Sequence, residues 1–404
     1  MDPGEAAGIA IAIALVGGIG TSLYLLWPMI KRLSALPKET VQNKSAAAVK
    51  IGILGAAKIA PMAVIYPCRK LENATIAGVA ARSYQKAKDF AKKYGIEKIY
   101  GSYEEIIEDD EIDAVYIPSP NGYHAYWTIR AMKAGKHVLC EKPLASNAKE
   151  VEEMIKASKT YSFKNKGEKG LVLVEAMHYR FHPVAQEIIR LVENDSLGEI
   201  TDIESSFKIP WPMPLRSDIR YNNGGRNPEL AGGSLMDAGC YAVNVLRLVA
   251  NGKEPTVESS SIKEAYHGVD EKAEARLVFE NGMTGKIKCA FKSFWFEMNL
   301  KVHGKKRTLF VYNFLAPFVY HRLQVTDRET GKKTTTKLYG TGASTYEYQL
   351  RAFVGAIQGD EESIQLCKRC GSPEEALKTM KLIDSIYLKA GLQPREGKPY
   401  ETGA

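Results

Sequence analysis

The sequence predicts an α/β protein in two parts, an N-terminal doubly wound Rossmann domain and a C-terminal α+β domain with a large, mostly antiparallel sheet, preceded by an N-terminal transmembrane helix. Three observations carry this prediction. From Val49 to Cys140 short apolar runs alternate with amphipathic stretches, the repeat that builds a parallel sheet. In the second half the period changes to closely spaced strand patterns broken by turn residues. Ahead of both, the run from Ala6 to Ile30 passes without a charge.

Composition sets the limits. At 404 residues and 45% hydrophobic the chain is long enough for two domains of ordinary size. The net charge of +8 is spread along the chain with no long basic run and no aromatic interleaving, which reads as solvated surface and argues against a nucleic-acid partner. Six cysteines, at positions 68, 140, 240, 289, 367 and 370, are scattered through apolar runs and read as reduced thiols in a cytosolic setting. Cys367 and Cys370 have redox or metal spacing in CKRC, but no second pair accompanies them, and chance spacing on a charged helix accounts for it; no metal is expected.

The elements follow in order. AAGIAIAIALVGGIGTSLYLLWPMI exceeds the ~20 residues that span a bilayer as a helix. Asp2 and Glu5 precede it and Lys31, Arg32 and Lys38 follow, so the positive-inside rule leaves the rest of the chain in the cytoplasm, membrane-anchored by a single pass. Residues 1–48 are thus expected to be anchor and linker, 49–170 a dinucleotide-binding domain and 171–404 a substrate domain. VKIGIL is the first strand. The turn after it, GILGAAKIA, places Gly52, Gly55 and Ala57, with Lys58 and Ile59, between a strand and a helix start, where small residues let backbone approach a pyrophosphate. ATIAGVAA is the second strand. NAD sites put a carboxylate at its end, whereas this chain has Ala81, Arg82 and Ser83; a guanidinium with a hydroxyl beside it suits the 2'-phosphate of NADP, and a surface arginine opening a helix is the other reading.

IDAVYIPSP and HVLCEKP close the alternating series. In HVLCEKPLA an apolar strand runs straight into Glu141, Lys142 and Pro143, charge placed at the carboxyl end of a strand, where open α/β sheets bind ligands. The lysine-rich KTYSFKNKGEKG (159–170) reads as a surface loop. Later, KAEARLVFE, GMTGKIKCAFK, FEMNLKVHG, RTLFVYNF and HRLQVTD are strands separated by turn signals, and SPEEALKTMKLIDSIYLKAG is a closing helix.

Five segments, G-x-x-G-x-x-x-x-A at the first turn, PSPNGYH (Pro118, Asn121, His124), EKP, EAMHYRFHP (175–183) and GGSLMDAGCYAVN (232–244), resemble in order and spacing those of the Gfo/Idh/MocA oxidoreductases, and SDIRYNNGG with LAGGSLMDAGCY is similar to the branch of dimeric dihydrodiol and NADP-dependent D-xylose dehydrogenases. Ala57 stands where many relatives have Gly. The resemblance covers about residues 49–395. It implies NADP as cofactor and hydride transfer at a carbinol or carbonyl carbon of a sugar or diol. It implies Lys142 as the catalytic lysine and Tyr241 as the proton-transfer group, and chemistry agrees. An alcohol gives up hydride only if its proton also leaves, and a nearby ammonium lowers the phenol pKa from its reference of about 10. Asp237, four residues before Tyr241, is expected to orient substrate hydroxyls or the lysine.

Pro118, Asn121 and His124 are expected near the cofactor with Glu141, although a helix cap and a packed histidine explain Asn121 and His124 as well. Arg180 and the Pro-rich loop WPMPLRSDIRY, with Trp211, Asp218 and Tyr221, are expected to line the substrate pocket. One sheet face is expected to pair with a second copy, as relatives do. Two other readings stand beside the sugar or diol dehydrogenase: a membrane-tethered reductase of a lipophilic metabolite, and a non-catalytic NADP-binding regulator.

Overall fold

Strand β1 (Val49–Leu54) is buried at every position except Lys50, the signature of a strand covered on both faces. In the computed structural model, which describes residues 41–163, 170–210, 228–266, 269–294 and 296–400, it is the centre of a six-stranded parallel sheet. Its companions are β2 (Ala74–Ala80), β3 (Lys98–Ile99), β4 (Ala114–Ile117), β5 (His137–Cys140) and β6 (Leu173–Glu175), in the order β3-β2-β1-β4-β5-β6. The order reverses between β1 and β4, the position at which doubly wound sheets open a crevice at the strand ends.

The helices between these strands have local causes. A π-helical turn (Pro61–Ile65) leads into α1 (Tyr66–Arg69), with proline at the first position where its missing N–H costs nothing. In α2 (Tyr84–Tyr94), α3 (Tyr103–Glu108) and α5 (Ala148–Thr160), Ser83, Ser102 and Asn147 cap the N-termini through side chains that accept from Lys86, Glu105 and Glu150 N–H. Helix α4 (His124–Lys133) follows a short 3-10 turn, Asn121–Tyr123. The lysine-rich insert is closed at its base by an antiparallel bridge between Ser162 and Gly170.

Beyond α6 (Pro183–Glu193), strands β7 (Ile200–Pro210), β8 (Thr256–Tyr266), β9 (Val269–Val278), β10 (Thr284–Ser293), β11 (Glu297–Gly304), β12 (Arg307–Tyr312), β13 (Arg322–Asp327) and β14 (Lys333–Thr336) form an eight-stranded sheet in the order β14-β13-β12-β11-β7-β10-β9-β8. Every pairing is antiparallel except β7 with β10. β11 alternates half-buried and buried residues along its whole length, which gives the sheet one inner face. Helix α7 (Cys240–Val249), nearly all buried, packs on that face against β7, β10 and β11. The chain ends with α8 (Thr345–Ile357), α9 (Glu361–Gly371) and α10 (Pro373–Lys389).

Two compact units result. Of the described residues, one contains 41–178, Tyr346–Lys378 and 396–400, and the other contains those of Tyr179–Thr345 and Thr379–Arg395. One expectation is corrected. Among the described residues no helix is long and apolar enough to cross a membrane, so the transmembrane helix, the membrane partner and the membrane-anchored localisation are withdrawn. The run Ala6–Ile30 on which they rested lies outside the described residues. The expectation rested on hydropathy and apolar length alone.

Candidate active site

In the unit built on the parallel sheet, the end of β1 turns at Gly55 with φ +139°, a conformation open to glycine and strained for other residues. A Cβ there would lie 3.6 Å from Tyr103 Oη and 3.7 Å from Pro118 Cγ, so the backbone is bare where a phosphate would approach. Ala57 N–H donates to Gly55 C=O at 2.8 Å and closes the turn; Lys58 is exposed and Ile59 half-buried. Gly52 serves another purpose. It lies inside β1, and a Cβ on it would come within 2.5 Å of Ile106, so its small size makes room for α3. At the end of β2, Ala81 is buried, Arg82 is exposed, and the Ser83 hydroxyl is committed to capping α2. The first turn and Arg82 together fit the diphosphate and the 2'-phosphate of NADP.

The other functional strand end is that of β5. Glu141 is buried and accepts a hydrogen bond from Tyr116 Oη at 2.7 Å. Burial, followed by the Glu141 charge, pushes the Tyr116 phenol well above its usual range, and the same two causes raise the Tyr346 phenol. Both therefore stay protonated as donors. Glu141 Oε2 also accepts from the N–H of Lys142, at 3.3 Å, and the peptide from Lys142 to Pro143 is cis. Glu175, at the end of neighbouring β6, accepts from Leu144 N–H at 3.0 Å. The segment that carries Lys142 is thus tied down by two buried carboxylates, while Lys142 itself is half-buried. Tyr346 packs against His178 with ring centroids 4.0 Å apart and planes tilted by 32°.

Of the two readings of His124, its surroundings are those of a packed histidine. It is fully buried, with Nδ1 at 2.8 Å from Pro143 C=O and Nε2 at 2.8 Å from Ser119 C=O. Burial outweighs the two carbonyls, which favour the protonated ring, and holds its pKa down at about 4. The neutral ring donates to one carbonyl only and braces the PSP segment against the EKP segment, a structural role. Asn121 is buried at the head of α4 and Pro118 half-buried at the end of β4.

In the other unit Tyr241 is 5% exposed and opens α7. Its ring packs edge-on at 6.3 Å from Tyr179 and tilted at 5.7 Å from Phe207. Asp237, 7% exposed, sits on the π-helical turn Leu235–Gly239 that runs into α7, an irregularity common at functional sites. Tyr179 Oη donates to Asn244 Oδ1 at 2.6 Å, and the Asn244 amide donates to Thr379 at 3.2 Å, which fixes the helix one turn beyond Tyr241. Asp270, wholly buried, accepts from the N–H of Leu235 at 2.6 Å and the Ser234 hydroxyl at 2.8 Å, and so holds the start of the π turn. Arg180 is buried in the 3-10 turn His178–Phe181. Trp211, Asp218 and Tyr221 lie outside the described residues.

Sequence reasoning missed Tyr103, Tyr116, Tyr179, Asn244, Asp270 and Tyr346. For Tyr116 a signal existed, since a tyrosine in the buried strand AVYI must find a partner for its hydroxyl. For the others the partner lies far along the chain, and no local pattern announces it.

Comparison with known proteins decides the family. A model of the oxidoreductase family with NAD-binding Rossmann fold matches residues 49–164, and the GFO/IDH/MocA C-terminal domain matches residues 185–310. A D-xylose 1-dehydrogenase (NADP(+)) of Haloferax volcanii is 32% identical over 343 residues, 84% of this chain and 96% of that protein. The chain belongs to the Gfo/Idh/MocA oxidoreductase family. Another member, the trans-1,2-dihydrobenzene-1,2-diol dehydrogenase of Xenopus tropicalis, is 35% identical over 55% of this chain and 63% of its own length. Among solved Gfo/Idh/MocA structures, the aldose-aldose oxidoreductase of Caulobacter crescentus, complexed with glycerol, superimposes with a TM-score of 0.70 at 25% identity, over 85% of this chain and 98% of that one. A 3-ketoreductase of Actinomadura kijaniata, solved with NADP and TDP-benzene, has a TM-score of 0.72 at 24% identity with the same coverage, and shares the family fold.

Proposed function

We propose that this chain is an NADP-dependent dehydrogenase that acts on a CH–OH group of a sugar or vicinal diol. The observation that carries the reading is the strand end of β5, where Lys142 is presented half-buried on a segment fixed through Glu141 and Glu175, in the same sheet whose first turn is bare at Gly55. The substrate class is supported by the near full-length likeness to a D-xylose dehydrogenase and the partial likeness to a dihydrodiol dehydrogenase.

On this reading residues 49–170 hold the cofactor and residues 171–404 the substrate. The Gly55 turn takes the diphosphate at its bare backbone, and Arg82 grips the 2'-phosphate with its guanidinium. When bound, the nicotinamide supplies the hydride acceptor or donor. Tyr241 takes the proton from the substrate hydroxyl as the carbinol carbon is oxidised, and returns it in reduction. Lys142 contributes positive charge at the strand end where the nicotinamide is held. Asp237 orients substrate hydroxyls, and Arg180 contributes to the pocket. The half-buried face of the eight-stranded sheet pairs with a second copy, which sedimentation of the purified protein checks. To test the activity, full-length protein is incubated with NADP or NAD and a panel of aldoses and diols, and reduced nicotinamide is followed by absorbance. NADP-dependent turnover of at least one aldose or diol is expected, and silence across the panel with both cofactors contradicts the reading.

A further inference from the structure

Tyr103 stands where three segments of the cofactor-binding unit converge, and nothing in the mechanism above uses it. Its place is fixed locally. Ser102 caps α3 by accepting from Glu105 N–H at 3.1 Å, and Glu105 returns the bond by accepting from Gly101 N–H at 2.7 Å. That reciprocal cap sets Tyr103 at the first helical position, where the side chain leans back toward the N-terminal end of the helix. The ring is held edge-on against Trp127, with centroids 4.9 Å apart and planes at 81°. Its hydroxyl lies 3.6 Å from where a Cβ on Gly55 would be, and the backbone and charge of Arg82, at the end of β2, act on it electrostatically.

One hydroxyl therefore borders the turn that would take the diphosphate and lies within the field of the residue that would read the 2'-phosphate. The phenol carries an O–H that can donate to an anion there. Burial raises its pKa against the pull of the Arg82 charge, so the proton is retained at neutral pH. A neutral donor beside a guanidinium gives an anion a second contact in fixed geometry, with no further desolvated charge to stabilise. An arginine alone, on a solvent-exposed side chain, lacks that fixity.

We propose that Tyr103 is a specificity-determining residue, its hydroxyl donating to the 2'-phosphate that Arg82 grips. The proposal rests on the NADP reading above and adds to it the residue that makes the preference for a 2'-phosphate strong. The test measures direct binding, independent of turnover, with wild type and Tyr103→Phe as full-length protein. Dissociation constants are taken for NADP, NAD, 2',5'-ADP and 5'-AMP, and thermal unfolding of both proteins is recorded. Phenylalanine keeps the ring against Trp127, so the fold should be retained, and unchanged NAD affinity reports an intact first turn.

The expected result is that NADP and 2',5'-ADP bind about tenfold more weakly or worse, the scale of one hydrogen bond to a charged group, while NAD and 5'-AMP bind as before. Equal losses for phosphorylated and unphosphorylated ligands would place Tyr103 on the common part of the cofactor and overturn the proposal. No loss for any ligand would also overturn it. A wild type that binds 2',5'-ADP no better than 5'-AMP would sink the NADP reading itself. A wild type that prefers 2',5'-ADP, with the preference intact in Tyr103→Phe, would sink only the role given to Tyr103. Should Tyr103→Phe unfold, Tyr103→Trp is titrated in its place. The indole N–H sits elsewhere and must lose the same preference for the proposal to stand.

Discussion

Glu141 and Lys142 are neighbours in the chain with different surroundings: the carboxylate is buried under Tyr116 and close to Tyr346, and the lysine is half-buried at the end of the strand. The carboxylate is there to hold the backbone, so Tyr116→Phe should leave NADP affinity nearly unchanged and lower stability by about 1–3 kcal/mol, the cost of a buried acceptor that loses its donor. Urea unfolding with parallel NADP titration checks this. Lys142→Met and Tyr241→Phe should each lower kcat about 10²-fold or more, with little change in NADP affinity. If the two work as one unit, the double variant is scarcely worse than the poorer single one; steady-state kinetics on the four proteins decides. Arg82→Ala should weaken NADP binding far more than NAD, by ~1.5–3 kcal/mol for a lost charge-assisted hydrogen bond, measured by titration. At this scale the sequence was legible where chemistry asks for a residue type at a strand end, and the structure sets Lys142 half-buried after β5 and Arg82 exposed after β2; their roles stay with the tests above. It was illegible where burial assigns the role. For His124 the sequence left two readings open, and only its two carbonyl neighbours and lack of exposure decide for the packed one.

Elements carry the next set of consequences. His124 joins the start of α4 to the segment after β5, and its folded pKa of about 4 lies below its ordinary value of 6.5. The unfolded chain therefore binds the proton more readily. Stability from this group is fully present above pH 6.5 and is lost as pH falls from there toward 4, by up to ~3 kcal/mol. Urea unfolding against pH should show a shallower slope in that window for His124→Gln than for wild type. The C-terminal segment is a second tie. Gly397 N–H donates to the buried Glu150 carboxylate at 2.9 Å, Lys398 N–H donates to Gly122 C=O at 2.6 Å, and the Lys398 ammonium lies 4.0 Å from the Tyr126 ring centroid. A chain ending at Arg395 should unfold several degrees lower and bind NADP more weakly, because the turn Asn121–Tyr123 then loses its partner. Calorimetry and cofactor titration test both effects. REGKPY carries no strand or helix pattern, and only the fold shows what it fastens. By contrast, the βα alternation and the ENG and DRETGK turns were readable because hydrophobic period and turn chemistry are local.

At the scale of the whole molecule, the sequence indicated a parallel sheet followed by a mostly antiparallel one, and the strand orders agree. It did not indicate that Tyr346–Lys378 and the segment from Glu396 belong to the unit of the parallel sheet, because contacts such as Gly397 with Glu150 span more than two hundred residues of chain. The membrane expectation rested on the hydropathy of an N-terminal run that lies outside the described residues, and no described helix supports it. The central claim is NADP-dependent oxidation of a sugar or diol by a proton-transferring tyrosine. It is tested most directly by one assay: reduced-nicotinamide absorbance with D-xylose and a trans-diol, NADP against NAD, wild type against Tyr241→Phe. The account predicts NADP-dependent turnover of one of these substrates by the wild type, a preference for NADP over NAD, and a loss of about 10²-fold or more in the variant. Turnover in Tyr241→Phe equal to wild type, or a wild type that uses NAD as well as NADP, would contradict it.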